Sequence, residues 1–279
     1  MLVVTTNNGL WTVEPITYKT KKVLDGVFFG IGLYKDGLIV SEDVLTKNKQ
    51  LVGTKLRFLN SDFKDTHEPI SLSIRQVHQI LVVKDKLFIT ETYIDKIWCL
   101  HLELKFKLSV VVHLKSNLVP RKVNTYSLNA LCERDGNLYI GFNNHTRNAI
   151  SGVAKLPLDT TNYNQTIRKL PYTELKHGIK DSHDLEPYED DILITASRQG
   201  FIYSLDNEDI LFNTERKWVR GLAISEHGVW VGYSPFAIRE NRFNTALQCS
   251  VNLFSHKDFR HVKQVTLHVG QIRDLMYLK

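Results

Sequence analysis

Five residues equipped for chemistry, His78, Asn129, His183, Arg220 and Arg273, stand at one position of a short apolar segment that recurs along the chain, and Phe29 occupies that position in the sixth copy. An unperturbed imidazole titrates near about 6.5, so His78 and His183 can donate or accept a proton at neutral pH. Imidazole also suits Zn, Mn, Fe, Ni or Cu, and two of them with the amide oxygen of Asn129 make part of an open coordination sphere. The expected cofactor is therefore one divalent transition metal held by His78, Asn129 and His183, with metal-free acid/base use of the histidines as the equal alternative. Arg220 and Arg273 offer two guanidinium forks, suited to a carboxylate, sulfate or phosphate, or to an oxyanion or enolate that develops during reaction. The blander reading pairs these arginines with Asp184, Asp274 or Glu240 as a plug.

The segments that carry these residues are Phe29–Ser41, His78–Thr90, Asn129–Gly141, His183–Thr195 and Arg220–Gly232, which align without a gap. Each reads as an apolar strand, a polar turn and a second strand rich in Leu, Ile and Val. A third strand follows at Ile97–Glu103, Gly152–Leu158 and Phe201–Asp206, and the one stretch with helical character is Tyr172–Ile179. The last copy is split: Arg273–Lys279 is a first strand with nothing after it, and Leu2–Glu14 is a hairpin with no first strand before it. Joining the two closes a ring and leaves no open edge. The expected fold is all-β, a six-bladed β-propeller over residues 1–279 as a single domain, closed by a blade shared between the N- and C-termini. A β-sandwich with irregular loops is the competing all-β arrangement.

In a propeller the starts of the innermost strands converge on one mouth of the central channel. The histidines and Asn129 then face one side of that mouth and the arginines the other. Second strands run antiparallel to the first and end at the same mouth, which adds Glu91, Asn143, Arg198 and Tyr233. Glu91 is the candidate carboxylate for a metal or for general-base work, and Tyr233 the candidate hydrogen-bond or proton donor. Asn143, Arg198 and Phe29 complete a substrate-binding wall with Arg220 and Arg273. Asp184 and Gln79 alternate away from the adjoining histidines and read as blade-packing residues, and Trp11, Trp98, Trp218 and Trp230 as blade core.

Composition narrows the partners. A formal charge of +6 invites the thought of nucleic acid, but the Lys and Arg are scattered in ones and twos with no aromatic-rich RNA-binding signature, so an anionic small molecule fits better. Cys99, Cys132 and Cys249 show no CxxC spacing and read as reduced core thiols of a cytoplasmic protein. No apolar run reaches membrane-spanning length and no signal peptide is visible. P-loop, G-x-G-x-x-G, G-x-S-x-G and HExxH patterns are absent, so no nucleotide cofactor is expected. A closed propeller needs no partner to cover its edges, which makes a monomer sufficient.

The Asn129-Ala-Leu and Arg220–Gly232 segments resemble blades of the gluconolactonase/regucalcin, strictosidine synthase and NHL six-bladed propellers. In gluconolactonase-like members Glu, Asn and Asp hold a metal. The resemblance places Asn129 at such a position, while His78 and His183 stand where carboxylates would be, which points away from calcium. Two functions follow as expectations. One is a small-molecule enzyme at the channel mouth acting on a carboxylate-bearing substrate, a lyase, isomerase or cyclase by proton abstraction, or a lactonase-like hydrolase. The other is a non-catalytic scaffold that binds a protein or ligand on one face, with Phe236 and Phe243 on its rim and the 233–248 loop as a lid or arm.

Overall fold

Short alternating segments separated by tight turns build every element. Asp135 and Gly136, for example, both take positive φ (53° and 70°), the two-residue turn that matches strand twist. In the computed structural model these elements form six four-stranded antiparallel sheets. The structure describes residues 1–48, 50–103, 107–113, 126–144, 150–158, 172–214, 218–235, 244 and 246–279.

Blade 1 pairs β1 (Leu2–Thr6), β2 (Gly9–Val13) and β3 (Thr20–Leu24) with the C-terminal strand β24. Blade 2 is β4 (Phe28–Tyr34), β5 (Gly37–Leu45), β6 (Leu51–Leu59) and β7 (Ile70–Leu72). Blade 3 is β8 (Ile80–Val83), β9 (Lys86–Glu91), β10 (Lys96–His101) and β11 (Lys107–His113). Blade 4 is β12 (Leu128–Arg134), β13 (Asn137–Asn144), β14 (Ile150–Pro157) and β15 (Tyr172–Glu174). Blade 5 is β16 (Ser182–Tyr188), β17 (Asp191–Ala196), β18 (Phe201–Ser204) and β19 (Asp209–Asn213). Blade 6 is β20 (Val219–Ser225), β21 (Gly228–Tyr233), β22 (Gln248–Phe254) and β23 (His261–His268), and β24 (Ile272–Tyr277) follows it. The innermost strands β24, β4, β8, β12, β16 and β20 each contact the next around a closed ring. The protein is a six-bladed β-propeller closed by a blade built from both termini.

The core lies between blades. Trp230, fully buried, packs with Leu2, Val4 and Leu275 across the junction of blades 6 and 1. Trp11 and Trp98, half-buried, pack against blade cores as expected, while Trp218 is half-buried just before β20. The three cysteines are buried and unpaired, and burial pushes the thiols of Cys99 and Cys249 up to about 11, which keeps them inert. Tyr172–Ile179 meets the expectation in part: a single 3-10 turn, Lys176–Gly178, lies within it, but Tyr172–Glu174 pairs with Gly152–Ala154 as an outer strand. The open edge of β14 offers hydrogen bonds that one isolated helical turn cannot match. Among the described residues no helix is long and apolar enough to cross a membrane.

Five of the six innermost strands carry a fault where the chemistry-bearing residue sits, while in blade 3 His78 precedes β8. Register slips between Phe28 and Ile31, Leu128 and Ala130, Ser182 and Leu185, and Val219 and Leu222. In blade 1, Thr5 pairs with Asp274 and Thr6 with Ile272, so the register slips at Arg273. These are β-bulges, which re-aim a side chain and bend the strand. Hydroxyls on the second strands satisfy backbone groups that the bulges free. Ser41 Oγ accepts from Gly30 N–H (2.9 Å), Thr90 Oγ1 from Gln79 N–H (2.9 Å) and Thr195 Oγ1 from Asp184 N–H (3.1 Å).

Candidate functional site

The bulges gather the expected residues into a ring at one mouth. The guanidinium of Arg273 lies over the ring of Phe29, 4.6 Å from its centroid. Phe29 is 6.0 Å from His78, and His78 stacks on His183 at 5.9 Å with the planes 21° apart. Blades 1, 2, 3 and 5 are thereby linked, and the charge of Arg220 from blade 6 acts on His183 as well.

His183 is the most constrained member. Its Nδ1 lies 2.7 Å from the carbonyl oxygen of Asp181 and 2.8 Å from Ser197 Oγ. A carbonyl can only accept, so Nδ1 carries the proton and Nε2 is left with its lone pair. Burial holds the imidazole well below its usual pKa, and the charges of Arg220, His78 and Arg273 push the same way. His183 is therefore a neutral base with a fixed tautomer.

Asn129 donates from Nδ2 to the carbonyl of Ser182 (3.2 Å), while its Oδ1 is buried and, among the described residues, has no hydrogen-bond partner. An orphaned buried oxygen is costly and is what a metal or ligand donor would satisfy. Among the described residues no group of three or more His, Cys, Asp and Glu is placed to hold a metal, so a metal here would rest on two imidazoles and this amide oxygen.

Second-strand residues divide by register. Asn143 is fully engaged: its Oδ1 accepts from Ser182 N–H (3.0 Å) and Ser151 Oγ (2.6 Å), and its Nδ2 donates to Ser182 O (3.2 Å). It clamps the strand that carries His183. Both oxygens of Glu91 are engaged too, by Arg75 N–H (3.2 Å) and Trp98 Nε1–H (2.7 Å), away from the ring. Tyr233 packs with Val219, Leu222 and Phe254, and lines a separate cleft with Asn213 and His261. Arg198 is exposed, 3.8 Å from Asp181. Phe236, Phe243, Glu240 and most of the 233–248 loop lie outside the described residues.

Apart from Asn143, the sequence reading missed the residues two places beyond the second-strand position held by Thr5, Ser41, Thr90, Gly141, Thr195 and Gly232: Asn7, Asp43, Thr92, Ser197 and Ser234, which with Asn143 are polar in all six blades. Asn7 Oδ1 accepts from Arg273 Nε (2.8 Å), Thr92 Oγ1 donates to Leu128 O (2.6 Å), and Ser234 Oγ accepts from Ile272 N–H (2.9 Å). Burial raises Asp43 to about 7, against the opposing charge of Arg273.

Beneath the ring, Asp274 Oδ2 accepts from Ile31 N–H (3.2 Å), Asp184 Oδ2 from Gly221 N–H (2.9 Å), and Gln79 Oε1 from Leu131 N–H (2.5 Å). Each bond ties one blade to the next, as expected of Asp184 and Gln79, and the two carboxylates serve backbone donors. Burial raises Asp184 to about 6 and holds Asp274 well above the usual carboxylate range, with Asp184 adding repulsion to Asp274. A carboxyl raised in the folded state holds its proton there, so stability falls as pH rises toward its folded value. His183, depressed, acts oppositely and only as pH drops below about 6.5. Asp184 gives up its contribution by about pH 6, and Asp43 and Glu186, raised to about 7 and about 8, carry the loss on to about pH 8, at up to about 1.4 kcal/mol per pH unit for each titrating group. We expect the calorimetric unfolding midpoint to fall by several degrees between pH 6.5 and 8, and Glu186→Gln to flatten the slope.

No protein-family model matches the sequence, and a search of curated proteins finds no relative. Solved structures do match. A chain of the nidogen/laminin complex superposes with a TM-score of 0.65 at 12% identity, covering 99% of this chain and 97% of that one. Pseudomonas aeruginosa periplasmic gluconolactonase PpgL gives 0.60 at 12% identity, covering 100% and 98%. Streptogramin B lyase gives 0.51 at 11% identity, covering 87% and 68%. At such identities the likeness is one of fold, and with the sheet order it makes this chain a six-bladed β-propeller that resembles lactonase and lyase propellers.

Proposed function

We propose that the protein is an enzyme acting on a small carboxylate-bearing substrate at the channel mouth, with His183 as the base. The observation that carries this reading is the neutral, tautomer-fixed His183 set in the field of Arg220 and Arg273. The arginines would hold the substrate carboxylate, with the Arg273 fork steadied by Asn7 and the face of Phe29. Nε2 of His183 would take the proton α to that carboxylate. The C–H electron pair would move into an enediolate stabilised by the guanidinium charges, and collapse by reprotonation or by expulsion of a β leaving group would complete isomerisation or elimination. Lactone hydrolysis, with His183 activating water, is the second chemistry the same groups support, and gluconolactonase and lyase propellers of the same fold lend weight to both.

The test is a proton-NMR screen in D2O over 2- and 3-hydroxycarboxylates and aldonolactones. The expected result is deuterium exchange, elimination or ring opening by the wild type. With malonate as a binding probe, Arg220→Gln and Arg273→Gln should each weaken affinity by about tenfold or more, the value of a charge-assisted hydrogen bond. No turnover across the panel and unchanged malonate affinity in both variants would leave the scaffold reading instead. Elemental analysis of chelator-free protein separates the two modes of His183: near one equivalent of Zn, Mn, Fe or Ni, lost in His78→Ala/His183→Ala, makes His78, Asn129 and His183 ligands, and none leaves the imidazole as a free base.

A further inference from the structure

The opposite end of the channel holds a cavity of about 710 Å³, inside the size range of small-molecule sites. Its walls are the far halves of the innermost strands, and Gln79 and Asp274 of the tie layer form its inner end. The lining is chiefly apolar, with Ile31, Ile80, Leu131 and Leu275 among it.

One side chain does not fit that wall. Three residues beyond the ring position the strands carry Gly32, Leu81, Cys132, Ala223 and Met276, but in blade 5 the residue is Glu186. Glu186 lines the cavity and makes no hydrogen bond or ion pair among the described residues. A carboxyl so placed is costly to ionise, and burial with the nearby charge of Asp184 raises it to about 8. The other ionisable groups around the inner end are Asp184 and Asp274, while Lys84, Asp85, Lys86 and Glu133 line the cavity near the strand ends and turns. Arg220 and Arg273 lie beyond the tie layer, at the other mouth. An anion entering here would meet carboxyls alone at depth, and a purely apolar guest would leave Glu186 without a partner.

We propose that this cavity is a second binding site, separate from the histidine ring, which takes a small organic cation, an amine on an apolar body, with Glu186 as its ion-pair partner. The amine's ammonium replaces the proton on Glu186 and the apolar body fills the wall.

Isothermal titration with benzylamine and cyclohexylamine tests it, using benzyl alcohol and benzoate as neutral and anionic controls. At pH 7 the wild type should bind the amines with release of a proton approaching one per ligand, read from titrations in phosphate and in Tris. Glu186→Gln keeps the shape of the neutral acid and should lose both the proton release and about tenfold or more of the affinity. His183→Asn, at the other mouth, should bind the amines as the wild type does, so failure of the proposed activity and failure of this site are read separately. Equal amine affinity in Glu186→Gln, no amine binding by the wild type, or benzoate binding better than benzylamine would each overturn the proposal. Should Glu186→Gln fold poorly, Leu33→Lys, which sets a cation on a half-exposed residue of the cavity wall, must weaken benzylamine binding instead.

Discussion

His183→Asn should abolish turnover while leaving the ring assembled. The asparagine amide can keep the bond that Nδ1–H makes to the Asp181 carbonyl, but it offers no basic nitrogen at the place of Nε2. A positioned base contributes on the order of 100- to 10,000-fold, so kcat/KM should fall by that range with malonate affinity little changed. The pH profile supplies a readout that a packing role would not move. Burial and the Arg220 charge hold His183 well below its usual value, so the acid limb of kcat/KM in the wild type should lie well under pH 6.5. Arg220→Gln removes the strongest of those charge effects, makes the imidazolium easier to form and should move the limb upward. A limb that stays in place in Arg220→Gln, or turnover that survives His183→Asn, would end the case for His183 as the base.

The six ring positions were readable from sequence because the apolar repeat fixes the phase of each first strand, and Phe29, His78, Asn129, His183, Arg220 and Arg273 share that phase. The split blade was readable for the same reason, since Arg273–Lys279 and Leu2–Glu14 complete each other. The second strands were harder. Successive side chains of a strand alternate between faces, so an error of one residue turns a site residue into a packing residue. Glu91 and Tyr233 lie one place beyond the hydroxyl position and turn toward Trp98 and the Val219 cluster. Asn143 and Ser197 lie two places beyond and reach the first strand of blade 5. A bulge adds a residue on one side of the ladder and not the other, so no count along a single strand reveals which register faces the channel.

The tie layer has an order that no single segment displays. Asp274, Gln79 and Asp184 belong to blades 1, 3 and 5, and at the same position blades 2, 4 and 6 carry Gly30, Ala130 and Gly221. Long acceptors on alternate blades thus reach across to backbone N–H groups of neighbours whose own side chains are too small to obstruct them. The arrangement also accounts for the raised carboxyls, since acceptors set around a narrow channel repel one another and are shielded from water.

Gly221→Val should therefore be among the most destabilising single changes in the molecule. Gly221 has φ +82°, and a Cβ there would lie 2.6 Å from Leu275 Cγ and 3.2 Å from the Asp274 carbonyl carbon. A β-branched residue at positive φ is strained before any contact is counted, by about 1–2 kcal/mol or more. Forcing Leu275 aside adds overpacking of about 1–3 kcal/mol, and moving the Gly221 N–H from Asp184 leaves a buried acceptor short of a partner. A total near about 4 kcal/mol corresponds to a fall in Tm on the order of 10 °C for a chain of this size. Gly136→Ala isolates the backbone component, because Gly136 has φ +70° with no atom within 4 Å of the added carbon, and should cost about 1 kcal/mol. Thermal unfolding of the two variants side by side decides the matter. A Gly221→Val protein that melts with Gly136→Ala would mean that blades 6 and 1 do not approach as closely as the Gly221–Leu275 contact requires.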